Sequence, residues 1–424
     1  MIKLKDSLWQ LVVVFISLIA TLVQLKLSTN FLNSYELGII ALASIPLLLA
    51  NVISDFGIAN YIIHRRDISI SELSAIYGLA FVLGVTACII LVILGAILAF
   101  IYTDYAVLSV TAVCIPVVVL SCITSVPYAV ANSAMEFKII SLSDVLSKIV
   151  LIVCLILFFY WRLGIYAIAV AQAFSCLFKL IYLLKWSFKY NFLPELKLCF
   201  NLSMAKKAIP FGLSQFGSQF LNIIGQKLDE LILGKCLGVS ELGIYSVIKQ
   251  LLIAANGFIS APARRLLMPV FSRGVNCNLF INIYFKYLVV LSCIFGVFIV
   301  LPFIPAYVLK TIHGHELEMA VLSLAWMLRI SSGNLQSAYM VSTGRPAVEF
   351  HWNIVQTLFL SLVLIASSFY LQTLLQYSSV MLASNIALIL ISSLFFPVTR
   401  NKAISVFCIN LLIALAFLIF IYFR

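Results

Sequence analysis

Thirteen apolar segments follow one another along this 424-residue chain, and each is long enough to cross the hydrocarbon core of a bilayer. A core of roughly 30 Å needs about 20 residues of α-helix, at about 1.5 Å per residue. Hydrophobic residues make up 64% of the chain and charged residues only 10%, whereas soluble proteins carry about 25% charged residues. The sequence therefore predicts a multi-pass membrane protein. The segments are 8–28, 37–57, 75–101, 106–127, 145–161, 164–185, 208–233, 241–262, 280–304, 317–341, 352–372, 376–397 and 403–423.

The segments are expected to be helices. Within a bilayer, an open strand would leave its backbone hydrogen-bonding groups unsatisfied, and the chain lacks the short alternating segments typical of a barrel. The first segment is too long for a signal peptide, carries Lys26 near its end and has no small-residue cleavage site. We therefore expect an all-α integral membrane protein that retains this segment as a span.

The basic residues outside the spans favour a cytoplasmic N-terminus, because cytoplasmic loops are enriched in Lys and Arg. With that orientation the outer side holds only four of them: Arg162, Lys235, Lys310 and Arg424. The cytoplasmic side holds sixteen: Lys3, Lys5, Arg65, Arg66, Lys138, Lys185, Lys189, Lys197, Lys206, Lys207, Arg264, Arg265, Arg273, Arg345, Arg400 and Lys402. The side on which the C-terminus lies depends on whether the chain has twelve spans or thirteen.

An internal repeat divides the chain. Glu36–Ile39 recurs 205 positions later as Glu241–Ile244, and Ala50–Asn51 recurs at the same offset as Ala255–Asn256. The same shift carries the first, third and fifth segments onto the seventh, ninth and eleventh. We therefore predict two six-helix lobes related by a parallel repeat, with a site at their interface, as in alternating-access transporters. The predicted parts are lobe 1–186, cytoplasmic linker 187–207, lobe 208–398 and an appended C-terminal helix at 399–424.

Ionisable residues inside the spans are the strongest functional signal, because each costs about 2.5–3.5 kcal/mol on insertion scales. Apart from the two residues at either end of each span, seven cations and three acids lie there: Lys26, Lys148, Lys179, Lys227, Lys249, Lys286 and Arg329 against Asp55, Asp229 and Glu230. An anionic substrate would balance the excess of cations. Pyrophosphate carries the needed charge compactly, and arginine can bind its oxygens through two parallel hydrogen bonds.

Depth ranks the candidate cavity cations. Arg329 lies near the middle of its span and is the first candidate for substrate binding, although an internal pair with a carboxylate would also explain it. Lys249 and Lys179 lie about two turns inside their spans. Lys26 and Lys227 lie near outer ends, where they either face the cavity or extend to the membrane interface.

The acids and a polar stripe complete the predicted site. Asp229 and Asp55 are the candidate acids for proton or sodium coupling, although Asp229 also suits a structural ion pair, and Asp55 suits a helix-ending turn with Gly57. Four polar residues recur every four positions in span seven and either join helices or line a wet cavity wall for sugars. They are Ser214, Ser218, Asn222 and Gln226.

Several classes of function are excluded or disfavoured. No basic stripe with interleaved aromatics suggests nucleic-acid binding. The ten cysteines are dispersed without a CxxC pair and indicate neither a disulfide framework nor a zinc site. His313, His315 and Glu316 could ligate a metal, but a solvated loop fits them better, so no metal is expected. No nucleophile–base constellation or phosphate-binding glycine loop is present, and neither catalysis nor a cofactor is expected.

Three segments carry motifs that occur together in one known group of proteins. They are Ser34–Arg65, Met135–Lys138 and a third segment made of Leu228–Gly238, Glu241–Tyr245 and Pro262–Arg273. In this order they resemble the O-antigen flippases (Wzx type) of the multidrug/oligosaccharidyl-lipid/polysaccharide exporter superfamily, the MOP superfamily.

The resemblance implies two helical lobes around a central cavity in a bacterial inner membrane. It also implies transport of an undecaprenyl-pyrophosphate-linked oligosaccharide from the cytoplasmic to the periplasmic leaflet. Coupling to protons or sodium and contacts with a polysaccharide polymerase and a chain-length regulator stay open. The alternatives are an exporter of drugs or of a lipid II-like precursor from the same superfamily. A membrane-bound polymerase or glycosyltransferase is disfavoured, because its catalytic groups need large outer loops.

Overall fold

The computed structural model is helical throughout the part of the chain that it describes. It describes residues 4–58, 62, 70–134, 136–189, 202–272, 277–342 and 346–395, and no β-strand occurs among them. The helices of the first half are α1 (Leu4–Phe31), α2 (Ser34–Asp55), α3 (Ile70–Tyr102), α4 (Tyr105–Val113), α5 (Ile115–Ser133), α6 (Phe137–Tyr160) and α7 (Tyr166–Lys189).

The second half continues with α8 (Leu202–Leu237), α9 (Val239–Ser272), α10 (Cys277–Val300), α11 (Phe303–Val308), α12 (Glu316–Ser342), α13 (Pro346–Ser367) and α14 (Leu374–Phe395). A short 3₁₀ turn, Lys310–Ile312, precedes α12. Twelve of the thirteen predicted spans fall largely on these helices. The thirteenth, 403–423, and the predicted appended helix at 399–424 lie outside the described residues.

Seven helical stretches are long and apolar enough to cross a membrane, as judged over the described residues alone: Ser34–Asp55, Glu72–Tyr102, Tyr105–Ser133, Phe137–Tyr160, Tyr166–Ser187, Asn282–Val300 and Val348–Ser367. Many of their large apolar side chains are exposed, as lipid contact requires; Phe100 of α3, for example, is 85% exposed. The all-α class predicted from the sequence is confirmed, and the protein is a multi-pass membrane protein.

One predicted span is interrupted. Segment 106–127 corresponds to two helices, α4 and α5, which meet at Cys114 with φ −78° and ψ −9°. Pro116 stands within the first turn of α5. Proline has no N–H to donate to the preceding turn, so the backbone hydrogen bonding changes here, although the two helices together still form one stretch, Tyr105–Ser133, that is long enough to cross a membrane.

The chain forms two compact units. The first contains Met1–Leu32 and Glu36–Lys227, and the second contains Asn33–Tyr35 and Leu228–Arg424. The change from one unit to the other falls within α8. The predicted linker at 187–207 overlaps the last residues of α7, which ends at Lys189, and the first residues of α8, which begins at Leu202. Its residues 190–201 lie outside the described part of the chain.

Helix packing repeats between the units. In the first unit α5 packs against α3 and α7, and α6 packs against α7. In the second unit α12 packs against α10 and α14, and α13 packs against α14. The offset of 205 residues carries each of the first three pairs onto one of the second three. Equivalent segments therefore make equivalent contacts, as the predicted parallel repeat requires.

Candidate functional site

A buried ion cluster lies in the second unit, where α8 meets α9. Lys249 Nζ is 2.8 Å from both carboxylate oxygens of Asp229 and 2.9 Å from Glu230 Oε1. The relative exposures of Asp229, Glu230 and Lys249 are 5%, 2% and 4%. Two carboxyl groups and one amine therefore share one site almost without solvent, where a charge is tolerated only beside close opposite charges and hydrogen-bond partners.

Two tyrosines add hydrogen bonds to the same aspartate. Tyr245 of α9 donates its hydroxyl proton to Asp229 Oδ2 at 2.6 Å, and Tyr377 of α14 donates to the Asp229 main-chain carbonyl oxygen at 3.1 Å. Both tyrosines are fully buried, and their rings meet edge to face with centroids 5.5 Å apart. Asp229 thus joins α8 to α9 and α14.

Arg329, the deepest predicted cation, lies on α12 in the same unit. Its side chain is half-buried, and Cζ of its guanidinium lies 5.4 Å from the ring centroid of Trp326. It also interacts electrostatically with Asp229. The structure therefore brings Asp229, Lys249 and Arg329, three residues of the predicted site, into one neighbourhood; the sequence did not predict that Asp229 pairs with Lys249.

Lys227, the basic residue next to Asp229 in sequence, makes a different contact. Its Nζ donates to Ser44 Oγ of α2 at 3.3 Å, within the first unit. Residues two apart on a helix point to different faces, so Lys227 and Asp229 contact different surroundings. The structural ion pair considered for Asp229 is present, with Lys249 as its basic partner.

Lys179 also has an acidic partner. Its Nζ lies 2.7 Å from Asp144 Oδ1 of α6, and both side chains are 26% exposed. The same ammonium lies 4.4 Å from the ring centroid of Tyr128. Sequence reasoning missed Asp144 because it immediately precedes predicted span 145–161, so it was not counted among the acids inside the spans.

The remaining candidates are more dispersed. Lys26 is half-buried on α1. Asp55 is the last residue of α2, and the chain then turns through two residues with positive φ, Phe56 at 36° and Gly57 at 70°. This is the helix-ending turn expected for Asp55. Phe56 stacks its ring on Phe216 of α8, with centroids 5.7 Å apart.

The polar stripe of span seven lies on α8. Ser214 and Ser218 are within this helix, but their side chains are outside the described set. Asn222 and Gln226 are exposed, and Gln226 Nε2 donates to Asn222 Oδ1 at 3.0 Å. A pair of exposed amides on a predicted span is poorly suited to lipid contact.

The turn with two histidines before α12 shows a loose polar arrangement. His315 Nδ1 lies 3.6 Å from Glu318 Oε1, and Glu316 Oε1 accepts a hydrogen bond from the Gly314 N–H at 3.1 Å. Over the ranges that the structure describes, no group of three or more His, Cys, Asp or Glu residues is placed to hold a metal ion.

Two side chains of the cluster, Tyr245 and Tyr377, were missed by sequence reasoning. Tyr245 lies four residues before Lys249, and residues at that spacing share a helix face. A search for hydroxyl donors one turn from Lys249 would therefore have found it. Tyr377 follows Asp229 by 148 positions, and no local pattern connects the two.

Sequence comparison finds one matching family and several curated relatives. The family described as "Polysaccharide biosynthesis protein" matches residues 29–322. An amylovoran biosynthesis protein, AmsL, of Erwinia amylovora is 23% identical over 72% of this chain and 80% of its own. The lipopolysaccharide biosynthesis protein WzxC of Escherichia coli is 23% identical over 84% and 73%. The teichuronic acid biosynthesis protein TuaB of Bacillus subtilis is 21% identical over 79% and 70%.

Solved structures show the same fold. The lipid II flippase MurJ in an inward closed conformation matches with a TM-score of 0.73 at 12% identity, over 99% of this chain and 98% of its own. An inward-facing multidrug resistance MATE family transporter of the MOP superfamily matches with a TM-score of 0.70 at 13% identity, over 91% and 95%. The predicted MOP-type fold is confirmed.

Proposed function

Since this chain belongs to the polysaccharide biosynthesis protein family, we propose that it is a flippase for undecaprenyl-pyrophosphate-linked oligosaccharide repeat units. It moves them from the cytoplasmic to the periplasmic leaflet of a bacterial inner membrane, with its N-terminus in the cytoplasm. The observation that carries the proposal is the family match over residues 29–322, which extends into both compact units.

Two separate comparisons support lipid-linked glycan transport: the names of the sequence relatives and the fold shared with solved structures. The relatives are named for the biosynthesis of amylovoran, lipopolysaccharide and teichuronic acid. These products differ, so the names support a class of substrate and leave its sugars open. The fold is also that of a lipid II flippase. A lipid-linked glycan intermediate is the substrate that agrees with both.

Arg329 is the residue that we propose for binding the pyrophosphate. Its guanidinium lies near the middle of α12, the helix that corresponds to predicted span ten. A guanidinium can donate two parallel hydrogen bonds to phosphate oxygens. We further propose that Asn222 and Gln226, the exposed amides of α8, form part of the sugar-facing wall together with Ser214 and Ser218.

Transport would proceed by alternating access of the two lobes to the two sides of the membrane, with the lipid tail kept in the bilayer. Return of the empty protein would use the membrane potential or coupling to protons or sodium. Lys26, Lys179 and Lys227 are secondary candidates for guiding the anionic headgroup. A polysaccharide polymerase and a chain-length regulator would act on the flipped product.

Deletion of the gene tests the proposal in the host. We expect lipid-linked single repeat units to accumulate and surface polysaccharide to disappear, because assembly on the cytoplasmic face continues without export. Polysaccharide of normal amount and length, together with altered drug sensitivity, would contradict the flippase proposal and favour a multidrug exporter.

Complementation with variants tests Arg329. At equal abundance in the membrane, Arg329→Ala should leave surface polysaccharide absent. Arg329→Lys should restore part of it, because lysine keeps the charge and loses the bidentate geometry. Lys310→Ala removes an exposed cation from the turn before α12 and serves as the matched control with normal polysaccharide. Normal polysaccharide from Arg329→Ala would remove Arg329 from the mechanism.

A further inference from the structure

Carboxylate oxygens provide an acceptor for each of the three N–H donors of the Lys249 ammonium. A lysine ammonium has three N–H donors, and three carboxylate oxygens lie within hydrogen-bond distance of Nζ: Asp229 Oδ1 at 2.8 Å, Asp229 Oδ2 at 2.8 Å and Glu230 Oε1 at 2.9 Å. Lys249 is 4% exposed. A substrate phosphate could reach this ammonium only by displacing carboxylates that are themselves buried.

The charges in the cluster explain why such a displacement is unfavourable. Asp229 and Glu230 are adjacent acids with exposures of 5% and 2%, and Lys249 contacts both. Withdrawing the ammonium would leave two like charges in a site from which water is almost excluded. Breaking a buried ion pair in this way is far more costly than exchanging partners at a surface.

We propose that Lys249 is a fixed counterion for Asp229 and Glu230, and that it acts in transport as a positioning residue without contacting the substrate. It holds the Asp229 carboxylate in the orientation that accepts the Tyr245 hydroxyl. The main-chain carbonyl oxygen of Asp229 accepts a hydrogen bond from the Tyr377 hydroxyl. The ammonium therefore determines how the end of α8 packs against α9 and α14.

This role changes the interpretation of two charged residues predicted from the sequence. Lys249 is removed from the set of cations that bind pyrophosphate. Asp229 is removed from the set of acids that exchange protons or sodium with solution, because the lysine ammonium takes the position that such a cation would need. Both consequences follow from one contact geometry.

Chemical rescue of Lys249→Ala tests the counterion role in the purified full-length protein. Alanine retains the lysine Cβ, so the atoms removed correspond to one n-propylammonium ion. We expect the variant to lose roughly 5 °C in Tm in choline chloride, as expected for an uncompensated buried charge. At equal ionic strength, propylammonium chloride should restore at least half of that loss and leave the wild-type Tm unchanged.

Two controls isolate the charge and the site. Propan-1-ol has nearly the same shape as propylammonium without the charge and should not restore the Tm of Lys249→Ala. Lys179→Ala removes an ammonium that also contacts a carboxylate, but both groups are 26% exposed, so propylammonium should have little effect there. An unchanged Tm in Lys249→Ala, rescue by propan-1-ol, or equal rescue of Lys179→Ala would overturn the proposal.

A neutral cluster keeps the proposal testable if Lys249→Ala does not insert. The triple variant Lys249→Met, Asp229→Asn, Glu230→Gln removes all three charges and retains side chains of similar size. Replacing a buried ion cluster by neutral groups is often tolerated. We expect it to have a higher Tm than Lys249→Met alone, for which one charge is removed and two remain.

The transport readout of the triple variant rests on the proposed function. A counterion becomes dispensable when the charges that it balances are gone, so the triple variant should restore surface polysaccharide to at least half of the wild-type amount, and Lys249→Met should not. A stable triple variant that accumulates lipid-linked repeat units would show direct contact of these groups with substrate or ion and would overturn the proposal. Failure of the deletion phenotype would contradict the flippase function alone, since the Tm comparison is independent of substrate.

Discussion

At Asp229, both carboxylate oxygens and the main-chain carbonyl oxygen accept hydrogen bonds from residues of other helices. The two tyrosine donors differ in what they stabilise. Tyr245 donates to a buried charge, whereas Tyr377 donates to a carbonyl within α8 that also has an acceptor role in its own helix. The Tyr245 hydroxyl should therefore contribute more to stability than the Tyr377 hydroxyl.

Substituting each tyrosine by phenylalanine tests this difference. Tyr245→Phe should lower the free energy of unfolding by about 1–3 kcal/mol, because a buried carboxylate loses a donor. Tyr377→Phe should cost about 0.5–1.5 kcal/mol, the usual contribution of a neutral hydrogen bond. Thermal unfolding of the purified variants measures both, with Tyr307→Phe at an 89% exposed position as the control. Equal losses for the two buried tyrosines would contradict the argument.

How much of the site could be predicted depends on whether the contacting residues lie on one helix or on different helices. The charged residues Lys249, Asp229 and Arg329 were predicted as candidates, because an ionisable residue in an apolar segment is visible within a single helix. Their partners were not, because Lys249 and Asp229 lie on different helices and their pairing depends on how α8 and α9 pack. The nearest base in sequence, Lys227, lies on a different face of α8 and contacts Ser44.

Among the elements, α3 shows close packing through glycine. A Cβ at Gly84 would lie 2.8 Å from Cys122 Sγ and 3.1 Å from Cys122 Cβ of α5, and a Cβ at Gly95 would lie 3.0 Å from Thr111 Cβ of α4. Helices in a membrane associate through such close approaches of small residues, since lipid supplies no hydrophobic drive between them. The two glycines therefore allow α3 to pack against α4 and α5.

A mutant cycle at Gly84 tests this packing. Gly84→Ala should cost roughly 1–3 kcal/mol through overpacking, measured by thermal unfolding. Adding Cys122→Ala should recover part of the loss, because the sulfur is the nearest atom and the remaining Cβ contact is only moderately tight. Gly217→Ala on α8, where an added Cβ meets nothing within 4 Å, should be neutral or stabilising by up to about 1 kcal/mol. A strictly additive double variant would refute the proposed contact.

Helix positions were largely predictable from apolar length, and the break between α4 and α5 was not. The apolar run 106–127 is continuous, so hydropathy alone indicates one span. Pro116 lies beside the junction at Cys114, and its missing N–H affects backbone hydrogen bonding without changing the apolar character of the segment. Pro46 and Pro127, however, lie inside α2 and α5 without dividing them, so proline position alone would not have located the junction.

At the scale of the whole molecule, the internal repeat predicted which helices pack against each other, and the polar residues between spans predicted where the linker lies. These are different properties of the chain. The offset of 205 residues correctly relates the packed pairs α5–α7 and α12–α14. Polarity places the linker at 187–207, where the chain is expected to leave the membrane. The compact units instead change between Lys227 and Leu228, because packing partners can change along one continuous helix.

The orientation that the asymmetric loop charges predict for the whole chain can be measured by labelling single cysteines. In a cysteine-free background, Trp161→Cys and Tyr307→Cys occupy positions that are 64% and 89% exposed and predicted to face the periplasm. Both should react with a membrane-impermeant maleimide in intact spheroplasts. Glu136→Cys, at an exposed position before α6, should react only after the membrane is permeabilised. The reverse pattern would invert the predicted topology, and labelling of all three positions in intact spheroplasts would show that the predicted number of spans between them is wrong.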